Sequence, residues 1–330
     1  MARAVSRVPH WLLELDGRRI RVEVPATSAN LGAGYDCLAL ALELVNQVEM
    51  EVRCWSRGEV ALTITGEGEG ELASDRTNRF VRGLEAALVA ARGGELPPNA
   101  GWALTMANQI PLERGLGSSA AATVAGVVCG NALTGEPLTN ADMLRLATEI
   151  EGHPDNVAAA LLGGFVVSAP ADDGRGGVEA IRFDAPRDLR VVVFVPDLRL
   201  ETRAMRAVLP ARVPLGDAVT NLGRVAIGVA GLATGRHDLL RLLTRDRLHE
   251  RYRAKAYPQL PALLTAAVEG GAIGACLSGA GSAIIAFADS VKTLTRIEAA
   301  MAAAAAEADF PGRLQIISPR NAGVKILSRG

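Results

Sequence analysis

The sequence predicts a mixed α+β fold, and three observations lead there. Short segments with the period-two alternation of half-buried strands recur along the chain. Segments with the 3.6-residue spacing of amphipathic helices lie among them, without strict strand-helix-strand alternation. The 330 residues, 49% of them apolar, suffice for two hydrophobic cores. No repeat of about 20 to 50 residues marks a solenoid or propeller.

Arg19 to Pro25 and Val48 to Cys54 alternate as strands do, so a sheet begins early. Asn78 to Ala91 has helical spacing and stops before Gly93-Gly94. Trp102 to Met106 reads as a strand leading into a glycine-rich turn. Gly164 to Ser168, Val178 to Phe183 and Leu189 to Val195 are the next strands, the first two separated by a glycine-rich loop over 172–177. Helical patterns follow over Leu215 to Ala233 and Asp238 to Arg253. Strands at Gly274 to Leu277 and Ala283 to Phe287 bracket Ser278-Gly279-Ala280-Gly281, and Thr293 to Ala308 is a last helix. The chain divides near residue 168, giving expected units 1–168 and 169–330.

A net charge of −1 leaves no broad basic field for a polyanion, so the expected partners are small molecules, with no nucleic acid and no membrane. Cys37, Cys54, Cys129 and Cys276 form no Cys-x-x-Cys pair and sit mostly in apolar stretches. They read as reduced core thiols of a cytoplasmic protein. Trp11-Leu12-Leu13, interrupted by Glu14 and Asp16, is too short for a signal-peptide core, and the longest apolar run, Ala120 to Gly130, is about half a membrane span.

The strongest chemical signal is Pro111-Leu112-Glu113-Arg114-Gly115-Leu116-Gly117-Ser118-Ser119-Ala120. Gly115 and Gly117 permit close backbone approach, and Ala120, Ala121, Ala122 and Ala125 favour a helix directly afterwards. A helix opening at Ser118 or Ser119 turns its unpaired N–H groups and positive dipole end toward the turn, where a polyphosphate is the natural occupant. The plainer alternative is that one serine only caps the helix. A P-loop is excluded, because none of Lys255, Lys292 and Lys325 follows a glycine. Gly115-x-Gly117-x-x-Ala120 also satisfies the loose dinucleotide pattern of a nicotinamide-dependent oxidoreductase. Against that, Ile110 to Arg114 separates strand from glycine, and Glu136, at the distance of a ribose-binding acid, sits in a turn.

Two further clusters carry polar chemistry. Pro25 to Asp36 packs small residues, two glycines, Asn30 and Asp36 into a segment that either wraps a polar ligand or satisfies its own backbone donors. Glu149-Ile150-Glu151-Gly152-His153-Pro154-Asp155-Asn156 supplies carboxylates suited to Mg²⁺ or a hydroxyl proton. There, Asp155 alternatively caps the helix of Val157 to Leu162. His10, His153, His237 and His249 lack metal-ligand spacing. Arg203, Arg206 and Arg253 lie in segments mixing arginine with apolar residues, where a solvated face is the plain alternative.

In this order, these pieces resemble the GHMP kinase superfamily, and within it the homoserine kinases. The resemblance rests on Pro111 to Ala120, the late Leu277-Ser278-Gly279-Ala280-Gly281-Ser282, and the forms of Pro25 to Asp36 and Glu151 to Asn156. It implies an N-terminal domain like ribosomal protein S5 domain 2, a ferredoxin-like C-terminal domain, and transfer of the γ-phosphoryl group of ATP to L-homoserine by a homodimer. By position, Gly115, Leu116, Gly117, Ser118, Ser119 and Ala120 would cradle the ATP phosphates, Pro111 and Arg114 would also bind ATP, Asn78 falls near the adenine, and Ser119 with Glu151 would hold Mg²⁺. Asp155, Asn156 and Glu151 are the implied catalytic positions; Asn30, Asp36, His153, Asp155, Thr202, Arg206 and Arg253 the substrate side. Many homoserine kinases place more residues between the metal glutamate and the histidine, so Glu149 rivals Glu151, and Tyr35 stands where phenylalanine is usual. A zwitterionic amino acid calls for an arginine such as Arg206 or Arg253 and a carboxylate such as Asp36 or Asp155. Whether Asp155 accepts a proton or grips the ammonium stays open here, as does another GHMP small-molecule kinase. An RNA-binding module on the S5-like fold would need a basic, aromatic face that the near-zero charge denies.

Overall fold

A computed structural model describes residues 9–54, 58–97, 100–172, 174 and 176–330; Asp173 and Arg175 of the glycine-rich loop lie outside them. The first part of the chain forms α1 (His10–Leu13), β1 (Arg19–Ala29), β2 (Leu38–Arg53), β3 (Val60–Gly66), α2 (Arg79–Arg92), β4 (Gly101–Asn108), α3 (Ser118–Leu133), α4 (Asn140–Glu151), α5 (Asp155–Leu162), β5 (Phe165–Pro170) and β6 (Val178–Phe183). The rest forms β7 (Arg190–Pro196), α6 (Thr202–Ala207), α7 (Leu215–Thr234), α8 (Leu240–Leu243), α9 (Glu250–Arg253), α10 (Leu260–Glu269), β8 (Gly274–Leu277), β9 (Ile284–Ala288), α11 (Val291–Glu307), β10 (Gly312–Ile317) and β11 (Lys325–Arg329).

The first sheet runs β11-β1-β2-β4-β3, with β5 and then β6 continuing from the start of β2. Antiparallel pairing of β1 with β2 carries Arg19 opposite Glu51 through to Ala29 opposite Ala39, with a register shift after Pro25. Both strands outrun the alternation that predicts them, because Ala26 to Ala29 and Leu38 to Leu42 are buried on both faces, where a continuous apolar or small-residue run replaces period two. Pro25 is tolerated in β1 because pairing with β11 ends at Glu23, so no ladder on that side needs its missing N–H. Helices α2 to α5 cover this sheet. Asn78 caps α2 through its side-chain oxygen and Phe80 N–H, and Phe80, Leu84 and Leu88 form the buried stripe. A capping box of Thr139 and Asp142 starts α4, and left-handed Gly152 stops it. Only Gly152, His153 and Pro154 then separate α4 from α5, a corner that turns a run of polar residues toward one point.

In the second sheet the spatial order is β10-β7-β9-β8, all antiparallel. Numbered along the chain, its strands lie fourth, first, third, second, the β-α-β-β-α-β arrangement of a ferredoxin-like unit with extra helices after its first strand. The predicted helix over Asp238 to Arg253 is broken into a 3₁₀ turn, α8 and α9. Buried Asp246 causes the break: its carboxylate accepts from the N–H groups of Leu248, His249 and Glu250, satisfying donors that a continuous helix would have used itself. The chain division expected near residue 168 falls within the first sheet, since β5 pairs with β6 across it and β11 returns the C-terminus to β1. We propose the two sheets as the structural units, the first completed by that last strand.

Candidate active site

The glycine turn between β4 and α3 lies where the two sheets meet. Gly117 is left-handed at φ 72°, and a Cβ on it would stand 1.9 Å from Thr27 Oγ1; a Cβ on Gly115 would stand 2.0 Å from the Ser278 carbonyl oxygen. Only glycine fits either place. The late glycine segment is stitched to the turn: Ala283 N–H donates to the Arg114 carbonyl, Ser278 Oγ to the Gly115 carbonyl, and Gly279 N–H to Ala29 at the end of β1. The N-terminal N–H groups of α3 therefore face a cleft whose floor comes from the first unit and whose rim comes from the second.

That cleft consists of cavities of about 260 and 360 Å³ sharing Glu113, Ser118 and Ser119 as a common wall. Of the predicted phosphate loop, Pro111, Gly115, Leu116, Gly117, Ser118, Ser119 and Ala120 line the smaller cavity. Arg114 does not. Its guanidinium donates instead to the carbonyls of Leu112, Pro196 and Asp197, tying the loop to the end of β7. Asn78 lines the larger cavity, whose walls include Leu72, Ala73, Met106, Leu112 and Ala122. At the shared wall, Ser119 Oγ and Thr123 Oγ1 donate to Glu151 Oε1 at 3.0 and 2.6 Å, with Arg79 Nη1 3.6 Å from the same oxygen. Glu149 points elsewhere, held by Arg145 at 2.6 Å with its side chain 54% exposed, so the carboxylate brought to the cleft is that of Glu151.

At the other end, Asn30, Asp36, His153, Asp155, Asn156, Thr202, Arg206 and Arg253 converge. Asp155 starts α5; its Oδ1 accepts from Asn156 N–H at 2.6 Å and faces His153 Nδ1 at 2.8 Å. Burial alone would lower the His153 pKa, but the hydrogen bond and charge of Asp155 outweigh it and hold the imidazole above its ordinary value. Asn156 Oδ1 accepts from Thr27 Oγ1 at 2.7 Å. Arg206, on α6, grips Asp36 with both terminal nitrogens, 2.8 and 2.7 Å, and also donates to the Tyr35 hydroxyl at 2.8 Å. Asn30 fixes the loop by donating to the Gly279 carbonyl and accepting from Asp36 N–H. Arg253 is buried yet reaches the cleft. The sequence reading missed Thr27, Thr123 and the hydroxyl role of Tyr35. Thr123 was findable, being one helical turn after Ser119 on the same face.

A glycine-gated helix N-terminus opening onto a site of paired carboxylates and arginines defines a small-molecule kinase of the GHMP type. The model "GHMP kinases N terminal domain" matches residues 78–164 and "GHMP kinases C terminal" matches 229–307. The chain belongs to the homoserine kinases of this superfamily. It is 42% identical to the homoserine kinase of Moorella thermoacetica over 93% of this chain and 99% of that one, and 45% identical to that of Streptomyces coelicolor over 85% and 87%. The crystal structure of homoserine kinase from Cytophaga hutchinsonii superposes with TM-score 0.81 at 28% identity, covering 99% of this chain and 100% of that one. The L. major mevalonate kinase shares the fold, with TM-score 0.63 at 15% identity over 92% and 95%.

Proposed function

We propose that the cleft binds ATP and L-homoserine and transfers the γ-phosphoryl group to the side-chain hydroxyl, giving O-phospho-L-homoserine on the route to threonine. One observation carries this reading: the N-terminus of α3 and a set of charges matched to a zwitterion, Asp36, Asp155, Arg206 and Arg253, share a single cavity. The α3 N–H groups and the Gly115 to Ala120 turn hold the phosphates. The adenosine lies in the adjoining cavity against Leu72, Ala73, Met106 and Ala122, with Asn78 at its edge.

Ser119 Oγ and Glu151 present hard oxygens 3.0 Å apart beside the phosphate turn, which suits Mg²⁺, an ion that takes one or two protein oxygens and leaves its other positions to phosphate and water. Bound there, Mg²⁺ would neutralise charge on the transferring group. The protein's own part is alignment. Arg253 orients the amino acid through its carboxylate, while Asp36, held in place by the Arg206 fork, and the Asp155–His153 pair take its ammonium and hydroxyl ends. With a loose transition state, little proton removal is needed early, so Asp155 works late, as acceptor of the hydroxyl proton.

A coupled assay with ATP, Mg²⁺ and homoserine, mevalonate, shikimate or galactose tests the reading. Homoserine should be turned over with the highest kcat/KM. Preference for any other acceptor would replace it.

A further inference from the structure

His249 precedes α9, has no exposed surface, and touches the two elements that face the amino acid. Its Nε2 lies 2.8 Å from the Gly32 carbonyl oxygen, in the loop that carries Asn30 and Asp36; Arg253 Nη1 donates to its Nδ1 at 3.1 Å. A guanidinium offers only donors and a carbonyl only accepts, so these two bonds fix one tautomer, with the proton on Nε2 and the lone pair on Nδ1. A second proton would set an N–H against Arg253. Burial first, then the charge of Arg253, push the imidazole down to about 4 despite Asp246, so the ring stays neutral. The loop packs closely there: a Cβ on Gly32 would stand 2.4 Å from the Thr244 backbone, and Ala33 N–H donates to the Leu243 carbonyl.

Arg253 spends its remaining inward bonds on backbone, Nη1 donating to Gly279 at 2.8 Å and Nε to Met205 at 3.4 Å. Among the described residues Nη2 has no hydrogen-bond partner. The Arg206 fork, by contrast, is taken by Asp36. We propose that His249 is a positioning residue for the amino-acid substrate: as its Nε2–H tautomer it ties the Asn30–Asp36 loop to Arg253, holding Nη1 inward and leaving Nη2 for the substrate carboxylate. The proposal rests on the reading of this end of the cleft as the homoserine site.

Its test has two arms. In wild-type protein labelled with ¹⁵N-histidine, His249 should show a protonated Nε2 and an unprotonated Nδ1. An Nδ1–H or doubly protonated ring overturns the proposal without reference to catalysis. In kinetics, H249L, which offers neither donor nor acceptor, should raise the homoserine KM about tenfold or more, the consequence of losing a hydrogen bond to a charged group. The ATP KM should stay within about twofold, since the nucleotide end is untouched. H249Q, whose amide supplies both an acceptor and a donor, should recover most of the loss. Parallel rises in both KM values, an unchanged homoserine KM in H249L, or an H249Q as impaired as H249L would each overturn it; if H249L does not fold, the tautomer and H249Q decide. A wild-type enzyme inactive on homoserine would remove the functional reading and leave the tautomer assignment standing.

Discussion

Every hydrogen bond recorded for the Asp155 carboxylate falls on Oδ1, from Asn156 and His153, and none of the described residues engages Oδ2. On the proposed reading, that oxygen is the one left free to accept the hydroxyl proton. Asp155→Asn should therefore lower kcat by about 10² to 10⁴ and change the homoserine KM little, as loss of a general base does. The reverse pattern in steady-state kinetics would make Asp155 an ammonium ligand. Arg206 acts differently, because its fork holds Asp36 in place and so fixes charge as well as shape. Arg206→Leu should raise the homoserine KM and leave the ATP KM unchanged; an unaltered homoserine response removes Arg206 from the site. Residue types alone marked Asn30 and Asp36, and Glu151, His153 and Asp155, as two polar clusters; the family resemblance, by position, put Asn30, Asp36, His153 and Asp155 on the substrate side and Glu151 on the metal, and the fold brings all five to one cavity. What the sequence could not separate was Glu149 from Glu151. That choice is made by helix phase, which turns one toward Ser119 and the other toward Arg145 and solvent. Arg114 misleads for a similar reason, since its neighbours in sequence line the cleft while its side chain leaves to bind the Pro196 carbonyl at the end of β7.

On the proposed reading, nucleotide binding depends on the turn entering α3, and its glycines test that directly. Gly117→Ala would put a methyl against Thr27 Oγ1 at a left-handed φ, displacing the hydroxyl that orients Asn156. Strain of about 1 to 3 kcal/mol is expected, read as a lowered melting temperature together with a raised ATP KM; a variant melting and binding ATP like wild type would show that the turn is not held as described. A second element-level expectation concerns α9 and β8, joined where the Glu250 carboxyl accepts from Leu277 N–H at 2.7 Å. Burial pushes that carboxyl up to about 8 from an ordinary 4.5, with Asp246 adding to the rise and the Leu277 bond and Arg253 opposing it. A pKa raised in the folded state means that the contribution of Glu250 is fully present below about pH 4.5 and is lost as pH climbs through about 8. Asp246, whose folded pKa lies below its ordinary 3.8, acts only at the acid end. Glu250→Gln, which keeps the acceptor oxygen, should flatten the loss of melting temperature between pH 5 and 8 (about the span of that titration); an unchanged slope would place the titration elsewhere. Sequence periodicity ran one helix through this region because the apolar spacing of Leu239, Leu240, Leu243 and Leu248 continues. The side-chain capping by Asp246 that interrupts it leaves no trace in that spacing.

At the scale of the whole molecule, long-range strand pairing was the least legible part. β10 and β11 carry too few alternating residues to be separated from loop, and their partners β7 and β1 lie far away in sequence. The second sheet's strand order likewise follows from packing and not from any local pattern. One surface feature emerges only from the structure, on the helix that the sequence predicts over Leu215 to Ala233. Along α7, Asn221, Gly228 and Gly231 are buried, while Leu215, Val219 and Leu222 are 80%, 58% and 70% exposed and continue into exposed Ala226 and Ala230. Gly216 and Gly223 on this side have open space around them. We propose that this stripe pairs with its copy in a homodimer. It carries no charge, its small residues admit close approach, and a 20-residue helix runs about 30 Å, long enough to form the centre of an isologous interface to which neighbouring segments add the rest. From the buried side of the same helix, Asn221 donates to the Ala33 carbonyl in the Asn30–Asp36 loop, so pairing would also brace the amino-acid site. Light scattering during size exclusion should give twice the chain mass for wild type and a single chain mass for Leu222→Glu, the latter with a raised homoserine KM; a monomeric wild type ends the proposal, and a Leu222→Glu protein that stays dimeric moves the interface off this helix.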